Sequence, residues 1–290
     1  MTLYQLLTEG EQKLREAKDA EAQLDARRLL LEAFQTDTVH FLMNRMLQLS
    51  KEQTVEQAVS DYWTMIERRC QREPIQYILG SQEFMGLTFR VNHHVLIPRQ
   101  DTETLVEQVL KEHTQSERRA KRLLDLCTGS GCIAISLMVK GGFRYVTATD
   151  ISEDALSVAR ENAHCLLEPG CQLKLCRGDL FQALEPGGKF DILVSNPPYI
   201  PTSVIRELQP EVRNHEPVTA LDGSPDGKVF YRRIAGEAEQ WLNPGAAVYL
   251  EIGYDQGEAV CGLLEEHGFN NIKVIKDLPG LDRVVRADYG

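Results

Sequence analysis

Leu124-Asp125-Leu126-Cys127-Thr128-Gly129-Ser130-Gly131 decides the fold, because an apolar run passes there directly into a glycine-bearing turn and then into the helical pattern of residues 131–140. A glycine loop that follows a strand and opens a helix lets backbone approach a bound nucleotide closely. Asp150 ends the next apolar run, 21 residues after Gly129, and places a carboxylate where it can accept from both hydroxyls of a ribose. Together these features suggest an adenosine cofactor. A tight turn without a ligand, and Asp150 as a helix cap ahead of Ile151 and Ser152, remain open as alternatives. The dinucleotide pattern is only partly met: Cys127 stands where a first glycine belongs and Ala134 where a third does. No GKS or GKT follows, which disfavours a P-loop nucleotidase.

Outward from that stretch, strand and helix patterns alternate. Strands are expected at 122–126, 144–149, 172–176, 190–195, 246–252, 271–276 and 282–287, with helices at 131–140, 152–166, 226–242 and 255–267. Such alternation implies an α/β fold of the Rossmann-like kind, a mostly parallel sheet with helices on both faces and a ligand site at the carboxyl ends of the strands. A further helix is expected at 102–113. From Leu3 to about Arg72 the pattern is helical, with Ala22, Ala26, Leu29, Leu30, Ala33 and Phe34 on one apolar face. Pro74 is expected to end this bundle, and the alternation of Phe84–Val91 around Gly86 predicts a hairpin. The domain reading is a helical bundle over 1–73, a hairpin linker over 74–100 and a cofactor domain over 101–290.

Composition narrows the function classes. A formal charge of -11 argues against a surface built to neutralise many phosphates, so no stable nucleic-acid binding is expected. Seven scattered cysteines without a CxxC pair, and no clustered histidines, indicate neither a disulfide framework nor a metal site. His93 and His94 are adjacent and point in different directions, so they read as surface residues. The first twenty residues carry too many charges for a signal peptide, and no apolar stretch suits a membrane span, so a cytoplasmic protein is expected.

The second informative stretch is Asn196-Pro197-Pro198-Tyr199, at the end of the apolar run Asp191–Ser195. An amide or exocyclic amine delocalises its lone pair and attacks a methyl donor poorly unless its NH2 group is held and turned. The Asn196 side-chain oxygen and the Pro197 carbonyl can each accept one N–H, while Tyr199 offers a face to a planar substrate. Pro198 forces Pro197 into an extended conformation, which aims that carbonyl in advance. A proline-rich turn leaving a buried strand is the alternative. With the glycine loop and Asp150, the motif reads as a methyltransferase using S-adenosylmethionine, a cofactor without phosphates. Gly178-Asp179-Leu180-Phe181 follows the third strand, where a loop can contact adenine; a plain strand-ending turn is the other reading.

The chain resembles the release factor glutamine methyltransferases through PIQYILG at 74–80, LIPRQDTE at 96–103, LDLCTGSGCIAI at 124–135, SNPPYI at 195–200, Glu216-Pro217 and EIG at 251–253. Nearly the whole length is covered. NPPY alone is shared with DNA adenine methyltransferases, whereas LIPRQDTE and the helical N-terminal region are more specific. The resemblance implies transfer of methyl from S-adenosyl-L-methionine to the side-chain amide (N5) of a glutamine in a peptide chain release factor. It implies cofactor contacts at Cys127, Thr128, Gly129, Ser130, Gly131, Asp150, Asp179, Leu180 and Asn196, and a substrate glutamine held by Asn196, Pro197, Pro198 and Tyr199, with Asn196, Pro197 and Tyr199 catalytic.

The family usually has glycine at Cys127, proline at Gln100 and an aromatic at Leu180. The roles of Arg99, Glu103 and Glu216 stay open, and Asp101–Thr104 also reads as a helix cap. The alternatives in function are a glutamine methyltransferase of a ribosomal protein, a DNA or RNA amino-methyltransferase and a non-enzymatic cofactor sensor.

Overall fold

The first helix begins at Thr2, whose hydroxyl accepts the Gln5 N–H while the Gln5 side chain accepts the Thr2 N–H at 2.8 Å. This reciprocal cap satisfies two donors that would otherwise lie open at the helix start. The computed structural model describes residues 1–50 and 52–290 and divides into two units. The first comprises Met1–Gly80 and Gln209–His215, the second Ser81–Leu208 and Glu216–Gly290.

In the first unit, α1 (Leu3–Glu16), α2 (Ala22–Ala33), α3 (Thr38–Asn44), α4 (Gln53–Cys70) and α5 (Ile75–Leu79) bury Leu6, Leu14, Leu29, Leu30, Tyr62 and Ile66. Gly10 is required where α1 meets α4, since a Cβ there would lie 1.9 Å from the Tyr62 hydroxyl oxygen. Pro74 does not end the bundle. It is the N-cap residue of α5, which returns Ile75 and Ile78 to the same core and closes on Gly80 in the left-handed conformation. A proline at a helix start loses no intrahelical bond, so the helical pattern resumes beyond it.

Arg69 is the polar centre of this unit. Its guanidinium donates to Asp25 at 2.7 Å, Asp19 at 2.9 Å and Glu211 at 3.1 Å. Glu211 also pairs with Arg72 at 2.7 Å, which ties the Gln209–His215 segment into the bundle. Burial holds the Asp25 carboxyl above its usual range despite the adjacent Arg69.

The second unit contains β1 (Ser81–Phe84), β2 (Leu87–Arg90), α6 (Gln100–Glu112), α7 (Gln115–Ala120), β3 (Arg122–Leu126), α8 (Cys132–Gly141), β4 (Tyr145–Asp150), α9 (Glu153–Leu166), β5 (Leu173–Arg177) and β6 (Phe190–Ser195). After α10 (Pro210–His215), which belongs to the first unit, follow α11 (Val229–Trp241), β7 (Leu242–Glu251), α12 (Gly257–Glu266), β8 (Phe269–Lys276) and β9 (Asp282–Tyr289). The expected hairpin is β1–β2, and all seven expected strands are present. α7 was not foreseen from the sequence.

The seven strands lie in the order β5-β4-β3-β6-β7-β9-β8. The first five are parallel, and β9 runs antiparallel to both β7 and β8. Alternation along β6 sends Ile192 and Val194 into the core beneath α6 and α8, and Leu193 into the core beneath α11 and α12. Both faces are therefore covered, as a parallel sheet requires. Chain order reverses direction between β3 and β6, which opens a crevice at the carboxyl ends of the strands. Among the described residues no helix is long and apolar enough to cross a membrane.

Arg69→Met leaves Asp19 and Asp25 buried without their cation, and the expected loss of stability is about 3–5 kcal/mol at pH 7. The loss shrinks in acid, as the Asp25 carboxyl, raised by burial, takes up a proton. Urea unfolding of the two proteins at pH 7 and pH 4.5 checks this; a change below about 1 kcal/mol at pH 7 contradicts it.

Candidate active site

Three strand ends meet at the crevice and set the geometry of a cleft of about 400 Å³. Cys127 follows β3, Asp150 ends β4 and Asn196 follows β6; all three line it. The turn after β3 is built from positive-φ residues: Cys127 at 61°, Gly129 at 55° and Gly131 at 80°. Thr128 closes it by donating from its hydroxyl to Asp125 at 2.6 Å. Gly131 does not line the cleft. A Cβ there would come within 3.0 Å of Ile135 and 3.2 Å of Ala159, so this glycine lets α8 and α9 approach.

Asp150 fastens the loop to the next strand. One of its oxygens accepts the Gly129 N–H at 2.9 Å and the other the Ser152 N–H at 2.9 Å. The cap of α9 is Ser152, whose hydroxyl accepts the Ala155 N–H, so the cap reading of Asp150 falls. Each Asp150 oxygen keeps a lone pair for a further donor. Asp179 and Leu180 also line the cleft, with Asp179 held by Arg233 at 2.9 Å. Leu180 lies at φ 52°, so Cys127 and Leu180 are both non-glycine residues in the left-handed region beside the cavity. Backbone strain of this kind collects at functional sites.

Asp150, Asp179 and Asp222 line the cleft beside Arg99 and Arg233. Burial pushes the Asp125 carboxyl up to about 7 against the pull of its Thr128 hydrogen bond, and burial also raises Asp150. Ser130 Oγ and Thr149 Oγ1, of two lining residues, are buried without a protein partner among the described residues. Such atoms want donors or acceptors from a ligand.

At the other wall Asn196 Nδ2 donates to Thr102 Oγ1 at 3.3 Å, while its Oδ1 accepts no bond from protein among the described residues. The Pro197 carbonyl likewise takes no protein donor among the described residues. Pro198 lines the cleft, but Pro197 and Tyr199 do not. The Tyr199 hydroxyl is instead directed to Glu251 at 3.4 Å, and its backbone carbonyl accepts from the buried Gln256 amide at 2.9 Å. Tyr199 therefore braces the motif from behind. The backbone of Gly223 and Gly227 presses against it: a Cβ on Gly227 would lie 2.4 Å from the Tyr199 carbonyl oxygen, and one on Gly223 2.7 Å from Tyr199 Cα.

The open positions around residue 100 resolve differently from expectation. The N-cap of α6 is Arg99, without a side-chain cap, and Asp101 lies inside the first turn, so the capping reading of Asp101–Thr104 is not met. Glu103 accepts the Met85 N–H at 2.5 Å and secures the β1–β2 turn. Arg99 lines the cleft and is held by the buried Glu216, which also accepts the Ile97 N–H at 3.3 Å. Thr102 and Glu251 were missed as functional residues; EIG stood out in the sequence only as part of the resemblance.

Two family models match: the PrmC N-terminal domain over residues 5–80 and the methyltransferase small domain over 100–208. A release factor glutamine methyltransferase of Caulobacter vibrioides is 40% identical over 98% of this chain and 96% of its own. The chain belongs to the release factor glutamine methyltransferase family. A second member, from Clostridium botulinum, is 38% identical over 99% of both chains, and one from Geobacter sulfurreducens is 44% identical over 78% of this chain and 77% of its own. Similar solved structures include a methyltransferase from Pyrococcus furiosus, with TM-score 0.50, 20% identity and coverage of 71% of this chain and 90% of that one. A 16S rRNA methyltransferase from Thermus thermophilus, in complex with AdoMet and guanosine, has TM-score 0.52 and 19% identity over 72% of this chain and 50% of its own. At such identities these structures speak for the class I methyltransferase fold. The family's usual glycine at position 127 has its physical reason in the positive φ there.

Asp150→Ala is expected to weaken S-adenosylmethionine binding by roughly 1.5–3 kcal/mol, the worth of hydrogen bonds to a charged acceptor. Calorimetry beside a thermal melt checks it. Unchanged affinity in a natively folded variant reduces Asp150 to a brace for the Gly129 turn.

Proposed function

We propose that this chain transfers the methyl group of S-adenosylmethionine to the side-chain amide nitrogen of a glutamine in a peptide chain release factor. The observation that carries the reading is the orientation of Asn196: its NH2 group is occupied by Thr102, which leaves Oδ1 as an acceptor beside a cleft with the family's glycine loop. The residues present fit the cofactor. A cleft lined by Asp150 suits a phosphate-free adenosine whose ribose hydroxyls can donate, and it disfavours a pyrophosphate. Asp150 would hold the ribose hydroxyls, Leu180 would lie against adenine and the unpaired Ser130 hydroxyl would face the methionine portion.

When bound, the sulfonium supplies an electrophilic methyl group. The protein contributes position. Asn196 Oδ1 and the Pro197 carbonyl each accept one N–H of the substrate amide, which turns its nitrogen lone pair toward the donor at a near-attack distance of roughly 3–3.5 Å. Both acceptors strengthen as positive charge grows on nitrogen. The nitrogen becomes acidic only then, so no base is needed before attack, and water can carry the proton away. Tyr199, Gln256, Gly223 and Gly227 keep the acceptors from relaxing.

The first unit is proposed as the docking domain for the release factor, and a cytoplasmic location follows from that partner. Val39, Met43, Met46 and Leu47 are exposed within nine residues of one another on and after α3, an apolar surface suited to a folded protein. Binding there would supply energy remote from the reacting amide. Met43→Glu with Met46→Glu is expected to raise KM for intact release factor about tenfold, the effect of roughly 1.4 kcal/mol, and to leave a short glutamine peptide unaffected. Equal changes for both substrates contradict the docking role.

Asn196→Ala is expected to lower kcat by roughly 10²–10³-fold while cofactor affinity changes little. Labelled S-adenosylmethionine offered with separate pools of release factor, ribosomal protein, DNA and RNA tests the substrate. Label in the release factor at glutamine is the expected result, and label only in another pool overturns the proposal.

A further inference from the structure

One face of α11 belongs to the sheet: Tyr231, Ile234, Ala235 and Ala238 are buried at the helical spacing of three and four. Phe230 and Arg233, three residues apart, lie on the neighbouring stripe, and both line the cleft. Two contacts fix which part of the cleft that stripe meets. Arg233 donates to Asp179 at 2.9 Å, and the Trp241 ring stacks on Phe181 with centroids 6.1 Å apart and planes 4° from parallel. Asp179 and Phe181 flank Leu180, so α11 is tied to the chain on both sides of that residue.

Leu180 itself offers a ligand little surface. It is 4% exposed and belongs to the core that holds Leu124, Leu126 and Ile234. Phe230 is half-buried, and among the described residues it is the only Phe, Tyr or Trp that lines the cleft. His94, the other ring there, belongs to the segment ahead of α6 and lies 3.7 Å from Asp154. A planar base gains most from a flat π surface of this kind, because stacking combines apolar burial with complementary ring electrostatics.

We propose that the ring of Phe230 is the aromatic face on which the adenine of S-adenosylmethionine packs, with Leu180 adding aliphatic contact. The Arg233–Asp179 ion pair holds the first turns of α11 against the cleft and so keeps the ring in place. Recognition is thereby divided: Asp150 reads the ribose hydroxyls, and Phe230 reads the base. Loss of the ring should weaken adenosine and S-adenosylhomocysteine by the same factor, since both carry the base. The inference concerns the cofactor alone and stands or falls independently of which protein carries the glutamine.

The test needs no methyl acceptor. Calorimetry measures binding of S-adenosylhomocysteine and of adenosine to wild type, Phe230→Leu, Phe230→Tyr and His94→Ala, and NMR follows the adenine ring protons of bound S-adenosylhomocysteine in deuterated protein. Phe230→Leu, which keeps apolar bulk but removes the ring, should weaken both ligands roughly 5- to 10-fold. Phe230→Tyr, which keeps the ring, and His94→Ala should bind as wild type does. Protons over the face of a phenyl ring resonate upfield. The adenine protons should therefore move upfield on binding to wild type, Phe230→Tyr and His94→Ala, and lose that shift in Phe230→Leu. A nuclear Overhauser contact between the Phe230 ring and the adenine protons in wild type is expected as well, and it decides the matter even where Phe230→Leu fails to fold. Unchanged affinities or an unchanged upfield shift in Phe230→Leu overturn the proposal. So does an Overhauser contact from Phe230 only to ribose or amino-acid protons, or an upfield shift lost in His94→Ala instead, which gives the role to His94.

Discussion

The hydrogen bond from Asn196 Nδ2 to Thr102 Oγ1 decides what the cleft presents to a substrate, because an asparagine amide is a donor at one end and an acceptor at the other. Fixing the donor end on α6 leaves the acceptor end free at the mouth. Everything behind that contact resists its rotation. Tyr199 is held through its hydroxyl by Glu251 and through its carbonyl by Gln256, and two glycines allow the backbone of residues 223–227 to close on it. The amide would otherwise spend its interaction energy on reorganisation when charge develops, which is the loss that preorganisation prevents.

The opposite wall obeys a different constraint. Asp150 and Asp179 line it together with Arg233, and burial raises Asp150, whose charged form gains from a ligand donor that offsets its desolvation. Two residues there, Cys127 and Leu180, hold left-handed backbone despite their side chains. The sheet supplies the reason such strain survives: β3 and β5, each paired in parallel with β4, anchor the start of the loops that carry Cys127 and Leu180.

Much of this was legible in the sequence, and the limits are physical. Each strand of the large sheet announces itself by an apolar run bounded by turn residues, and the order of loop, ribose-binding acid and NPPY follows from βα alternation. Pro74 misled because proline ends a helix from within but starts one at the first turn, and the sequence does not say which. Asp101 has the residue type of a cap, yet α6 starts two residues earlier than its best local signal. Tyr199 was read as a face for the substrate; that its hydroxyl also reaches Glu251, 52 residues away along the chain, is a contact no local pattern encodes. The same distance hid Thr102 from Asn196, and the return of Gln209–His215 to the first unit depends on ion pairs 139 and 142 residues apart.

The most direct measurement is a crystal structure of the protein with S-adenosylhomocysteine and a glutamine peptide of a release factor. The account predicts the glutamine side-chain nitrogen within roughly 2.7–3.2 Å of both Asn196 Oδ1 and the Pro197 carbonyl oxygen, with the Asn196 NH2 still on Thr102. A glutamine whose nitrogen points away from both acceptors, or whose carbonyl oxygen takes a hydrogen bond from Asn196 Nδ2, would contradict it.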